Sequence, residues 1–166
     1  MNPFRIALAN VRVPVNPEES IALAVQAIDH ASIMGARIIC FPECYVPGYR
    51  GLGRFVPPPD AGFLDRAWSD LAEASAKANI AVILGTERIV DGELKATALV
   101  ISPDGSITGF QDKVQIDPSE EGTYSPGFGR HGDGQSCSSF QICLVTALAT
   151  WARGIAISFM TWSRIA

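Results

Sequence analysis

A chain of 166 residues, 48% hydrophobic and 18% charged, is long enough for one domain with a real core. At a mean hydropathy of +0.20 it is too apolar for disorder. A net charge of −4, a pI near 5.1 and the lack of any Lys/Arg-rich block argue against a nucleic-acid partner.

Met1-Asn2-Pro3-Phe4-Arg5 leads directly into an alternating apolar run from Ile6 to Val11, read as a mostly buried first strand with no signal segment before it. Asn16-Pro17-Glu18-Glu19 then marks a helix start, with Asn at the N-cap, Pro at N1 and Glu at N3. Ile21, Val25, Ile28 and Ser32 share one helical face, and Gly35 suits a left-handed terminus. Arg37 to Phe41 is a short apolar strand stopped by Pro42, which completes a β-α-β unit with parallel strands and a right-handed crossover.

The Gly/Pro-rich stretch from Pro47 to Pro59 is long for a compact domain and reads as a functional loop at a pocket mouth. Phe63, Ala67, Leu71 and Ala74 mark a second helix to about Asn79, and Ile80 to Leu84 a buried strand ending at Gly85. Turns at Asp91-Gly92 and Pro103-Asp104-Gly105 fold the strands Glu87 to Val90, Leu94 to Ile101 and Ile107 to Phe110 into an antiparallel meander. From His131 to Ser139 apolar residues nearly vanish, and an apolar run from Ile142 to Met160 follows. Arg153 at its centre, with Thr146, Thr150 and Ser158, favours a buried core segment over a membrane span.

Two of these strands end on charge. Glu43 follows Phe41-Pro42 and Lys113 follows Asp112, seventy residues later. An acid and an ammonium at strand ends are the raw material of a site in an α/β fold, and partial desolvation would suit Glu43 to general-base work. The bland readings are a loop carboxylate and a surface ion pair of little energetic weight. Glu120 and Glu121 form an acidic pair before Gly122, one of which could simply cap or solvate a loop.

Of the four cysteines, Cys40 sits inside an apolar strand and reads as core, and Cys44 beside Glu43 points away from it on an extended chain. Cys137 has no structural setting, whereas Cys143 opens a strand-like run. Such a thiol, given a base and a cation, can act as a nucleophile. Reduced thiols in a cytoplasmic setting are expected rather than a disulfide scaffold. His30 and His131 stand far from any metal-ligand spacing, so neither a metal nor a cofactor is expected.

Phe4-Arg5-Ile6-Ala7-Leu8-Ala9, Phe41-Pro42-Glu43 with Gly48-Tyr49, and Ile83-Leu84-Gly85-Thr86-Glu87 together resemble the nitrilase (carbon–nitrogen hydrolase) superfamily. The resemblance continues through Ser102-Pro103-Asp104-Gly105 and Asp112-Lys113 to Glu121, Tyr124, Pro126 and Gly127. It implies an α/β fold, an α-β-β-α sandwich of the nitrilase type, and a thiol hydrolase for a small-molecule amide or nitrile. In that frame Glu43 looks like the general base, Lys113 the cation for the tetrahedral intermediate, Glu121 the second glutamate and Cys143 the nucleophile. Ile142-Cys143 fits the start of the family's nucleophile elbow, but Leu144-Val145-Thr146 departs from the rest, and Lys95-Ala96-Thr97 stands where the family has an Asn.

Two regions are therefore expected: a nitrilase-like part over 1–129 and a divergent tail over 130–166, truncated or frame-shifted, leaving the sandwich incomplete. The face formed by Ile80, Val82, Leu84, Leu99 and Ile101 would then lack a covering layer unless the 142–160 run crosses it. An exposed patch of that kind drives association, which predicts a homo-oligomer with weak activity. The rival expectation is a non-catalytic fragment that serves at most as an interaction partner.

Overall fold

The computed structural model describes residues 4–50 and 55–127, and the backbone of 157–161. The elements, in chain order, are β1 (Phe4–Leu8), α1 (Pro17–Ile33), β2 (Ile38–Cys40), α2 (Ala61–Ala78), β3 (Ala81–Val90), β4 (Glu93–Ile101), β5 (Ile107–Asp112) and β6 (Ile157–Thr161). They form one six-stranded sheet in the order β5-β4-β3-β2-β1-β6. The strands β1, β2, β3 and β6 are mutually parallel, while β4 is antiparallel to both β3 and β5. Two reversals restore direction, so β5 runs the same way as β2. Residues that follow β2 and β5 therefore emerge at the same end of the sheet.

Local chemistry sets the helix ends. The Asn16 side chain accepts the Glu19 N–H at 2.8 Å, and Pro17 occupies the first turn. Glu19 turns back to accept the Val15 N–H at 2.6 Å and to pair with Arg12, tying the incoming loop to the helix. At the far end Gly35, at φ 76°, supplies the left-handed exit. Asp60 caps α2 by accepting from Phe63 N–H at 3.1 Å, and Asn79 closes it in the left-handed region.

Both helices pack on one face of the sheet. The buried side of α1 is Ser20, Ala24, Ala27, Ile28 and Ala31. Its centre lies one residue earlier than the Ile21/Val25/Ile28/Ser32 face expected, because alanines at that spacing let the helix approach closely. Against them stand Phe63, Leu64, Ala67 and Leu71 of α2 and Ile39, Val82, Leu84, Leu99 and Ile101 of the sheet. Ile80, Val82, Leu84, Leu99 and Ile101 are all 0% exposed. The expected uncovered face is thus the covered one, and the inference to association drawn from it fails: period-2 alternation turns these residues toward α1 and α2. Each buried Leu or Ile contributes roughly 1.5–3 kcal/mol relative to exposure. The opposite face carries a second buried cluster of Ile6, Ile38, Cys40, Ile83 and Ala98.

Gly85 does not end a strand, as its identity had suggested. β3 passes through it to Val90, and its φ lies outside the left-handed region that turns require. Asp91 and Gly92, at φ 52° and 80°, make the two-residue hairpin to β4 with Val90 opposite Glu93. Among the described residues no helix is long and apolar enough to cross a membrane. The backbone of 157–161, from the end of the apolar run, pairs in parallel with β1 as an edge strand.

Candidate active site

The turn carrying Glu43 is laced onto β3. Phe41 N–H donates to Ile83 O at 2.9 Å and Val46 N–H to Gly85 O at 3.3 Å, with Cys44 at φ 45° between them. Gly85 explains how this is possible. A Cβ there would stand 1.9 Å from Pro42 O and 2.8 Å from Glu43 Cα, so only glycine admits the turn. The Lys113 backbone is fixed from both sides: its N–H donates to Ala96 O and its carbonyl accepts from Gly127 N–H, each at 2.8 Å.

These two anchorages bring Glu43 and Lys113 together. Lys113 Nζ lies 3.0 Å from Glu43 Oε1 and 2.7 Å from Glu120 Oε2. The Glu120 contact is a formed hydrogen bond. Glu43 Oε1 is ion-paired but off hydrogen-bond alignment, and this buried oxygen accepts no hydrogen bond from any described residue. Glu121 is exposed, one position on. The carboxylate against Lys113 is Glu120 because consecutive side chains of the 117–123 turn diverge. Asp117 accepts the Ser119 N–H at 2.9 Å, Glu120 N–H donates to Asp117 O at 2.8 Å, and Asp117 N–H donates back to Glu120 Oε2 at 3.1 Å. Asp117-Pro118-Ser119 was the signal in the sequence that could have favoured Glu120, since an Asx turn fixes the direction of the residue after it.

The cluster is electrostatically coherent. Burial alone would lower the Lys113 pKa, but Glu120 and Glu43 outweigh it and hold the ammonium above its ordinary value. For Glu120 burial opposes ionisation, while donors from Lys113, Tyr49 and the Asp117 backbone hold its carboxyl below the usual value. Lys113 thus stays a cation and Glu120 an anion near neutrality. The Tyr49 hydroxyl donates to Glu120 Oε1 at 2.5 Å; burial, then Glu120, raises its own pKa.

A cleft of about 710 Å³ opens beside Glu43, within the usual range of small-molecule sites. Val13, Val15, Phe55, Val56 and Tyr49 line it, so its wall is largely apolar. The stretch 47–59, expected at a pocket mouth, contributes Pro47, Gly48, Tyr49, Phe55 and Val56 to it.

Cys143 and Cys137 lie outside the described residues. Cys40 and Cys44 are free and buried. Burial raises Cys40 to about 12 and pushes the Cys44 thiol higher, with Glu87, Glu43 and Glu120 adding to the effect and a Tyr124 contact opposing it. Neither is poised as a thiolate. The described residues hold no cluster of His, Cys, Asp and Glu fit for a metal. Tyr49, Tyr124, Arg50 and Glu87 join the site as supports that composition and spacing had not singled out for that task.

The chain resembles known proteins over most of its length. Aliphatic nitrilase of Rhodococcus rhodochrous is 26% identical over 146 residues, covering 77% of this chain and 39% of the relative. Omega-amidase NIT2 of Homo sapiens is 26% identical over 117 residues, covering 70% and 42%. The chain thus spans about two-fifths of the length of these curated relatives. In structure it resembles an amidase from Nesterenkonia sp., with a TM-score of 0.62 at 26% identity over 75% of this chain and 48% of that one. A variant of the amidase from Nesterenkonia sp. AN1 in complex with butyramide gives a TM-score of 0.65 at 25% identity, over 75% and 48%. The fold is accordingly α/β, an incomplete sandwich of the nitrilase type, with the described residues supplying one sheet and its two covering helices. The carbon-nitrogen hydrolase family model matches residues 5–157, from within β1 to the first residue of β6, and so this chain belongs to the carbon-nitrogen hydrolase family.

Proposed function

We propose that this chain carries the base and the cation of a thiol hydrolase that cleaves carbon–nitrogen bonds in small amides or nitriles. The observation that supports it is the convergence of Glu43, Lys113 and Glu120 beside an apolar cleft. Glu43 keeps one buried oxygen free of hydrogen bonds while close to a cation, an arrangement suited to taking and returning a proton. Lys113, held charged by two carboxylates, suits the stabilisation of a developing oxyanion. The second-glutamate role expected of Glu121 passes to Glu120, which makes the contact with Lys113.

In this reading Cys143 remains the nucleophile. Its thiol gives a proton to Glu43 as sulfur forms a bond to the amide carbon. Glu43 returns that proton to the nitrogen, the C–N bond breaks and ammonia or an amine leaves. Water then attacks the thioester, gives its proton to Glu43, and the C–S bond breaks to release the acid and the thiol. A nitrile would enter as a thioimidate, hydrated to the same kind of adduct before ammonia departs.

The test is ammonia release from a panel of amides and nitriles by the chain and by Glu43→Gln, Lys113→Met and Cys143→Ser. Loss of about 10²–10³-fold or more in each variant is expected. Turnover that survives Glu43→Gln or Cys143→Ser, or no ammonia from any compound, would overturn the proposal. The second result would favour a non-catalytic role in binding a partner.

A further inference from the structure

Beneath the residues that touch Lys113 lies a third carboxylate, which the hydrolytic scheme does not use. Glu87, on β3 two positions after Gly85, has a side chain 0% exposed. Its Oε1 accepts from Arg50 Nε at 2.8 Å and from Tyr124 Oη at 2.7 Å, and its Oε2 accepts from Arg50 Nη2 at 2.9 Å. A buried ion pair is weak evidence for stability alone, since an apolar replacement is often as good. What distinguishes Glu87 is where its partners lead.

Arg50 adjoins Tyr49, whose hydroxyl donates to Glu120 Oε1. Tyr124 ends the turn that begins at Asp117, and its N–H donates to Glu120 O at 3.0 Å. The rings of Tyr49 and Tyr124 stack with centroids 6.4 Å apart and planes 12° from parallel. Arg50 Nη1 also donates to Val56 O at 3.3 Å and Pro57 O at 2.7 Å, holding the segment that lines the cleft. One buried carboxylate thus grips, from the sheet, both loops that build the site.

We propose that Glu87 is a positioning residue that acts through Arg50–Tyr49 and Tyr124 to hold Glu120 against Lys113, without touching substrate. The proposal rests on the hydrolytic reading for its purpose, but the geometry it governs can be measured without turnover. Without the Glu87 charge, Arg50 loses its ion pair and one of the two oxygens that held its planar fork, and Tyr49 loses the rigid anchor beside it. The Tyr49 hydroxyl then leaves Glu120, which keeps Lys113 and the Asp117 N–H as donors.

The experiment is an NMR titration of ¹³C-labelled glutamate carboxyls in the full chain, with Glu87→Gln, Tyr49→Phe and the double variant. Each single variant is expected to raise the Glu120 midpoint by about one pH unit, the loss of one hydrogen bond to a charge. The double variant should move it no further than either single, because both changes cut the same relay. Where hydrolysis is measurable, kcat should fall with KM within about twofold of wild type, the mark of an interaction serving the reacting group. A folded Glu87→Gln protein with a wild-type Glu120 midpoint, or shifts that add in the double variant, would overturn the proposal. If Glu87→Gln fails to fold, Arg50→Lys keeps the charge but loses the planar fork. The same rise is then expected, and an unmoved midpoint refutes the relay. Coupled titrations in a chain that hydrolyses nothing would uphold the positioning and overturn only the hydrolytic reading.

Discussion

Gly85→Ala should damage the site without altering any polar group. The added Cβ would fall 1.9 Å from Pro42 O, 2.7 Å from Pro42 C and 2.8 Å from Glu43 Cα, all backbone atoms that no rotamer change can move aside. Relieving the first contact to 3.0 Å takes a displacement of about 1.1 Å in the 42–43 backbone, since repulsion at shorter range is prohibitive. That movement is opposed by the Phe41–Ile83 and Val46–Gly85 hydrogen bonds and by the Val46–Thr86 bridge, so it strains both strand and turn. Overpacking of this kind costs about 1–3 kcal/mol. For a domain of this size each kcal/mol lowers Tm by about 2–4 °C. Glu43 moves with its backbone, and in its proposed role as base a misplacement of about 1 Å costs roughly 10²-fold in rate. Differential scanning calorimetry and ammonia-release kinetics on Gly85→Ala against Gly85→Ser and wild type provide the check. A variant that melts within about 1 °C of wild type and hydrolyses equally well would refute the close packing of the Glu43 turn on β3.

The Glu120 carboxyl is held below its ordinary value of 4.5, so at acid pH the unfolded chain binds the extra proton. Its contribution to stability is complete above about pH 4.5 and is lost as pH falls through the folded value. Urea melts of wild type and Glu120→Gln should therefore differ most at pH 6–7 and by less as pH falls below the ordinary carboxyl value of 4.5, and a gap that widens on acidification would contradict the Lys113–Glu120 bond. Asn16→Ala removes the cap on Glu19 N–H and should cost about 1 kcal/mol in equilibrium denaturation. A neutral result would mean that Glu19 and Pro17 suffice to start α1. Limiting iodoacetamide followed by peptide mapping should modify Cys143 before Cys40 or Cys44, both buried with thiols held protonated. Early labelling of Cys44 would reassign the nucleophile.

What was legible in the sequence was whatever the chain decides over a few residues. Asn16-Pro17 announced a helix start, Asp91-Gly92 a hairpin, and Pro42 the end of β2, because each rests on the backbone preferences of the residues themselves. Phe41-Pro42-Glu43 and Asp112-Lys113 could be read as charge at strand ends, and the sheet brings that acid and that ammonium to 3.0 Å. Contacts made across the fold were not legible. Gly85 looked like a strand end because its neighbour, the Pro42 carbonyl, is remote in sequence. The face of Ile80, Val82 and Leu84 seemed bare because nothing local shows which side the helices take. The resemblance pointed to Glu121, whereas the direction of a side chain in a turn depends on hydrogen bonds such as that from Asp117 N–H, and it is Glu120 that meets Lys113. The resemblance supplied the family and the kinds of residue, and the turn sets which glutamate touches Lys113.

The two-residue hairpin at Asp91-Gly92 follows β3 at the same end of the sheet from which Lys113 follows β5, and it works as a phase setting for that lysine. It pairs Val90 with Glu93, and through β4 that choice places Thr97 opposite Asp112. Lengthening the hairpin by one residue would offset β4 by one place against β3. Every side chain of β4 would then change faces. Lys113, next after Asp112, would leave the carboxylates it now joins. An insertion that looks harmless in an exposed turn would in this chain turn Leu99 and Ile101 out of the core and part Lys113 from Glu43 and Glu120.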